Sequence, residues 1–115
     1  TGVTALAASF GTVHGLYRRE PRIDYELLDE LRRSVPVPLV MHGGSGLGVP
    51  VYRECIARGV RKADPYTYAA KAALDAARGE IEQPETLLFP KAAAAAGRAV
   101  EQDVHAFITA LAEPR

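Results

Sequence analysis

Apolar residues follow two alternating patterns along this chain. Short runs with no helical continuation (the apolar Val3–Ser9 and Leu39–Met41, and Val60-Arg61-Lys62-Ala63, read as a short third strand) alternate with longer stretches in which apolar and charged residues share each turn. The first run, Val3-Thr4-Ala5-Leu6-Ala7-Ala8-Ser9, stops before Gly11 and predicts a strand buried on both faces, as in a parallel sheet. From Tyr25 to Ser34, Tyr25, Leu27, Leu28 and Leu31 oppose Glu26, Asp29, Glu30, Arg32 and Arg33, which predicts a helix capped by Asp24. Pro36 and Pro38 end that helix and introduce the second strand. Val49 to Arg58 is amphipathic and stops at Gly59, a C′ glycine. After the third strand, Asp64 is expected to cap a helix with Pro65 in its first turn, running from about Tyr66 to Arg78. Gly79 to Pro90 then connects to a last helix, Ala92 to Leu111, whose apolar face carries Val100, Val104, Phe107, Ile108 and Leu111.

The resulting order, β-α-β-α-β-α-α, is that of an α/β protein with parallel strands and right-handed crossovers. Three such strands resemble an arc of a (β/α)8 barrel more than a closed domain, since a whole barrel takes about 250 residues. At 115 residues the chain has room for one small domain, a single partial domain over 1–115 on this reading, with a modest core. It opens on Thr1-Gly2-Val3, without methionine, in mid-pattern and with no targeting segment, and is therefore expected to be a piece of a longer chain.

Charge and cysteine content narrow the partners. Fourteen Lys and Arg balance fourteen Asp and Glu, and no basic stripe is interleaved with aromatics, which argues against nucleic acid or a membrane surface bound through bulk charge. No apolar run approaches the ~20 residues of a membrane span. The lone Cys55 excludes an internal disulfide and fits a reducing cytoplasm. It sits in a predicted helix as a small buried apolar group and, with no histidine near it in sequence, is not a candidate nucleophile.

Candidate chemistry gathers where an α/β sheet keeps it, at the carboxyl ends of the strands. His14 in Phe10-Gly11-Thr12-Val13-His14-Gly15, His42 in Val40-Met41-His42-Gly43-Gly44-Ser45-Gly46, and Asp64 all fall there. Neutral imidazole is the commonest metal ligand, and a catalytic zinc takes three protein ligands with one position open, so two histidines supply two of the three. The alternative is a pair of solvated or hydrogen-bonded loop histidines. Imidazole by itself also suits cobalt, nickel, copper or iron. Gly43-Gly44-Ser45-Gly46 offers unobstructed backbone N–H groups and a hydroxyl ahead of a helix, as phosphate requires, though such loops also serve simply as turns. Gly15 leaves room beside His14 for a ligand or ion. Asp64 and Thr67 are either substrate contacts or an ordinary cap and helix residue. Tyr17-Arg18-Arg19 is either a solvated loop or a reach toward substrate, and His105 on the last helix is a surface residue.

Together, Ala7-Ala8-Ser9-Phe10-Gly11-Thr12-Val13-His14-Gly15-Leu16-Tyr17, Pro38-Leu39-Val40-Met41-His42-Gly43-Gly44-Ser45-Gly46 and Gly59-Val60-Arg61-Lys62 resemble the class II, zinc-dependent fructose-bisphosphate and tagatose-bisphosphate aldolases, over nearly the whole chain. The resemblance implies the C-terminal part of a TIM barrel, about three βα units plus a terminal helix. It implies an aldehyde-lyase of carbohydrate metabolism and glycolysis that reversibly cleaves fructose-1,6-bisphosphate, or its tagatose counterpart, to dihydroxyacetone phosphate and glyceraldehyde 3-phosphate. By the same carry-over His14 and His42 are zinc ligands, Gly43, Gly44 and Ser45 hold the phosphate, Asp64 and Thr67 contact substrate, and Gly15, Gly43 and Ser45 lie near a monovalent cation in part of the family. The catalytic aspartate and the remaining histidine ligand belong to an earlier strand, outside this chain. A cytoplasmic homo-oligomer acting on a phosphorylated sugar is implied for the full-length protein.

The chain departs from the family where Asp64 replaces the usual asparagine, followed by Pro65. A carboxylate there repels a phosphorylated substrate unless it is protonated or paired. Two other readings remain in play. One is a truncated, non-catalytic remnant that retains the metal- and phosphate-binding motifs. The other is a small phosphate- or metal-binding α/β module that folds alone, against which two open sheet edges predict poor folding or association of the isolated chain.

Overall fold

The structure, a computed structural model, describes residues 2–112, so Thr1 and residues 113–115 lie outside the described residues. The chain divides into two compact units, one ending at Tyr66 and the other beginning at Thr67.

In the first unit a three-stranded parallel sheet has the order β1-β2-β3, with β1 at Leu6–Ala7, β2 at Leu39–Met41 and β3 at Val60–Ala63. Leu6 pairs with Leu39 and Ala7 with Val40; Leu39 pairs with Val60 and Met41 with Ala63, with a register shift between Leu39 and Val40. The predicted first strand is cut to two residues. Leu6 is half-buried and Ala7 exposed, so β1 is an open edge and not a strand covered on both faces. β2, with a neighbour on each side, is the strand whose three residues are all buried.

Helix α1 (Tyr25–Ser34) forms as its spacing predicts: the Asp24 carboxylate accepts from Leu27 N–H at 2.9 Å, and Leu28 is fully buried. Helix α2 (Val49–Ala57) starts after Gly48 with Pro50 in its first turn and ends at Gly59, whose φ of +113° is the left-handed conformation a C′ residue needs. The core joins Phe10, Leu28, Leu39, Val40, Met41, Tyr52, Cys55 and Val60. At its rim Arg58 pairs with Glu54 at 2.8 Å and with Asp29, and lies over the Tyr25 ring, linking α2 to α1.

The second unit is a helical hairpin, α3 (Thr67–Ile81) against α4 (Phe89–Ala112). Both helices are longer than predicted. α3 begins at Thr67, so Asp64 is not its cap: its carboxylate is engaged elsewhere, as described below. Gly79 and Phe89 fall inside helices, and only the segment between Ile81 and Phe89 connects them, closed by the Thr86 hydroxyl donating to Glu80 at 2.6 Å. Among the described residues no helix is long and apolar enough to cross a membrane.

Candidate functional site

The sheet sets the site. β2 ends at Met41, so His42 is the first residue beyond it. On the neighbouring strand Asp64 N–H donates to the Met41 carbonyl at 3.0 Å, which extends the β2–β3 pairing by one step and sets residue 64 beside residue 42. Lys62 precedes Asp64 by two, so both side chains leave the same face of the strand. The result is a contiguous group. Asp64 Oδ2 lies 3.4 Å from His42 Nε2, and Lys62 Nζ donates to both carboxylate oxygens, at 2.6 Å to Oδ2. The sequence-based condition on Asp64 is therefore met: the carboxylate is paired.

On the other side of His42 lies the loop that follows β1. It packs against the first glycine of the Gly-Gly-Ser-Gly segment. Gly43 has φ +69°, and a Cβ there would stand 2.6 Å from the Val13 carbonyl oxygen and 3.1 Å from His14 N. Tyr17 donates its hydroxyl hydrogen to the Gly43 carbonyl, a second tie between the two loops. Gly44 lies against the ring of Tyr52, whose hydroxyl would be 2.6 Å from an added Cβ. These close approaches need glycine at both positions and bring the imidazoles of His14 and His42 to 5.9 Å between ring centroids, inclined by 39°. Both rings are exposed and line a cleft of about 320 Å³ with Ala7, Ala8, Ser9 and Thr12.

Gly43, Gly44 and Ser45 are buried, and the Ser45 hydroxyl accepts Tyr66 N–H at 2.7 Å, tying the loop to the segment after β3. Gly15 has φ +92° and open space around its Cα, so close approach is possible there. Thr67, the first residue of α3, belongs to the second unit. Arg18 and Arg19 are exposed, as is His105 on α4.

Three residues were not foreseen as parts of this assembly: Lys62, Tyr17 in its loop-tying role, and Tyr52. Only Lys62 had a usable signal, its two-residue offset from Asp64 on a strand. Tyr17 is half-buried, and Tyr52, 2 % exposed, has its phenol pushed up to about 12 by burial and then by the neighbouring Tyr17 and Cys55.

Two imidazoles so placed have the donor chemistry that suits zinc, which takes three protein ligands in a catalytic centre. Among the described residues no group of three or more His, Cys, Asp or Glu is arranged to hold a metal ion.

The class II fructose-bisphosphate aldolase family model matches residues 1–112. The chain is 36 % identical over 84 residues to the uncharacterized protein YdjI of Escherichia coli K12, covering 73 % of this chain and 30 % of that protein. The crystal structure of the YdjI aldolase superposes with a TM-score of 0.69 at 29 % identity, over 97 % of this chain and 40 % of that one. A putative fructose-1,6-bisphosphate aldolase from Coccidioides immitis gives a TM-score of 0.75 at 30 % identity, over 96 % of this chain and 40 % of that one. The chain thus spans less than half the length of these relatives. With the family model covering nearly every residue, and with parallel βα units like those of its solved relatives, this chain belongs to the class II fructose-bisphosphate aldolase family.

Proposed function

We propose that this chain is the last three βα units and terminal helix of a TIM-barrel ketose-bisphosphate aldolase, contributing two of three zinc ligands and the phosphate loop. The observation that carries the reading is the convergence of His14 and His42 at the ends of adjacent parallel strands, directly beside the buried Gly43-Gly44-Ser45 loop. Fructose-1,6-bisphosphate or its tagatose counterpart is the substrate class, cleaved to dihydroxyacetone phosphate and glyceraldehyde 3-phosphate.

Each residue has a defined task in this reading. His14 and His42 hold zinc through neutral imidazole nitrogens. Bound there, zinc supplies Lewis-acid polarisation of the ketose carbonyl. Gly43, Gly44 and Ser45 present backbone N–H groups to the substrate phosphate on the loop that leads from β2 towards α2. Gly15 leaves the approach to His14 open, and Gly15, Gly43 and Ser45 border the place for a monovalent cation. Lys62 offsets the charge of Asp64, which lets a carboxylate stand near a phosphorylated ligand. The catalytic aspartate and the third histidine come from the rest of the barrel, in a cytoplasmic homo-oligomer.

His42→Ala in the full-length protein tests the reading. Zinc content, measured by elemental analysis, and cleavage of fructose-1,6-bisphosphate should both be lost. Full retention of both would remove His42 from the metal site.

A further inference from the structure

We propose that Asp64 is a positioning residue that fixes the ring of His42 for metal binding by pairing its carboxylate with the Nε2–H group. This rests on the reading of His42 as a zinc ligand. The carboxylate lies 3.4 Å from Nε2, and the Asp64 backbone is bound to the carbonyl of the residue before His42. A carboxylate can only accept. With its proton on Nε2, a neutral imidazole carries its lone pair on Nδ1, so Nδ1 is the nitrogen left for the metal.

Lys62 and Pro65 support the same arrangement. The Lys62 ammonium binds both carboxylate oxygens and holds the group on the face shared by residues 62 and 64. Pro65 confines the residue before it to extended backbone, which keeps Asp64 in line with β3. Pro65 also has no N–H to compete for the carboxylate. Lys62, Asp64 and Pro65 therefore act as one device, an acceptor-only orienter on a stiffened strand end.

The test is zinc affinity of the full-length protein by chelator competition, with the cobalt(II)-substituted absorption spectrum as a second readout. Asp64→Ala should weaken zinc binding about 10–100-fold, the usual effect of losing an outer partner of a ligating histidine. Asp64→Asn keeps an acceptor and should recover most of that loss, with a cobalt spectrum like that of the unmodified protein. Zinc affinity unchanged in Asp64→Ala, while His42→Ala abolishes binding, overturns the inference and leaves the zinc reading standing. Asp64→Asn as damaging as His42→Ala, with an altered cobalt spectrum, overturns it in favour of Asp64 as a direct ligand. Unchanged affinity in His42→Ala overturns the zinc reading itself.

Discussion

The strand-bearing unit and the helical hairpin differ most in what they bury. In the first unit Phe10, Leu28, Leu39, Met41, Tyr52, Cys55 and Val60 are all sealed from solvent, around a sheet whose far end carries the histidines. In the hairpin α3 buries no residue and α4 buries only Ala92, while Leu87, Leu88 and Phe89 stand 84 %, 70 % and 78 % exposed. Candidate site residues 14, 42–45 and 64 thus stand on locally completed packing. The hairpin carries exposed apolar side chains at Leu87, Leu88 and Phe89.

The sharpest way to break this contrast is to delete one large side chain from each unit. Leu28→Ala should cost about 2–5 kcal/mol, because a sealed side chain leaves a cavity as well as losing its transfer energy. Phe89→Ala should stay within about 0.5 kcal/mol, as for an exposed position. Urea unfolding of both variants in the full-length protein measures the difference. A cost above about 1 kcal/mol for Phe89→Ala would show that another surface covers this ring, and the contrast would then belong to these residues alone.

How far the sequence carried differs between the units for the same physical reason. Helix α1, β2 and β3 match their predicted limits because each boundary is chemical: Asp24 as cap, prolines before β2, Gly59 before β3. The first strand was over-read because an apolar run does not reveal whether it has one neighbour or two, and β1 has one. Asp before Pro is a sound helix-start signal, so Asp64 reads as a cap or a substrate contact, and the structure makes it no cap. The competing partners, Lys62 on its own strand and His42 across the sheet, depend on pairing register that no local pattern encodes. The histidines and the glycine loop could be picked out from their motifs. Their interlock through Tyr17, Val13 and Gly43 could not, since it is a contact between loops 26 or more residues apart.

Alkaline pH should separate the units next. Burial raises the Cys55 thiol from 9.0 to about 11 and the Tyr52 phenol from 10.0 to about 12, and both groups lie in the first unit. Both acids hold their protons more tightly in the folded state. Their contribution to stability is whole below the unfolded values and is lost as pH rises through the folded ones, between about 9 and 12. The loss should reach roughly 2–3 kcal/mol for Cys55, at about 1.4 kcal/mol per pH unit. Cys55→Ala should flatten the stability curve between pH 9 and 11. An unchanged slope there would mean that the thiol is not sealed in the core.

Glycine substitutions give opposite signs in the two units. Gly43→Ala places a Cβ against backbone of the His14 loop at a positive φ, and should destabilise by about 1–3 kcal/mol while raising KM for a phosphorylated substrate. Gly97 lies inside α4 with open space around it, so Gly97→Ala should stabilise by about 0.5–1 kcal/mol through helix propensity alone. Thermal melts of both variants decide. A destabilising Gly97→Ala would reveal a close approach to α4 from outside the described residues.

The smallest contrast sets a capped helix start against a surface ion pair. Asp24→Ala removes the carboxylate that accepts Leu27 N–H, leaving a first-turn donor of α1 to water, and should cost about 1 kcal/mol. Lys71→Ala breaks an i,i+4 pair with Asp75 on α3 in which both side chains are about half exposed, and should cost no more than about 0.5 kcal/mol. Salt separates the two further. Raising ionic strength to 1 M shortens the Debye length to about 3 Å, which should erase the Lys71 effect while leaving the hydrogen-bonded cap most of its value. Equal losses in both variants at high salt would mean that α1 is held by its buried Leu28 and not by its cap, and the Asp24→Ala, Leu28→Ala double variant would then add nothing beyond Leu28→Ala.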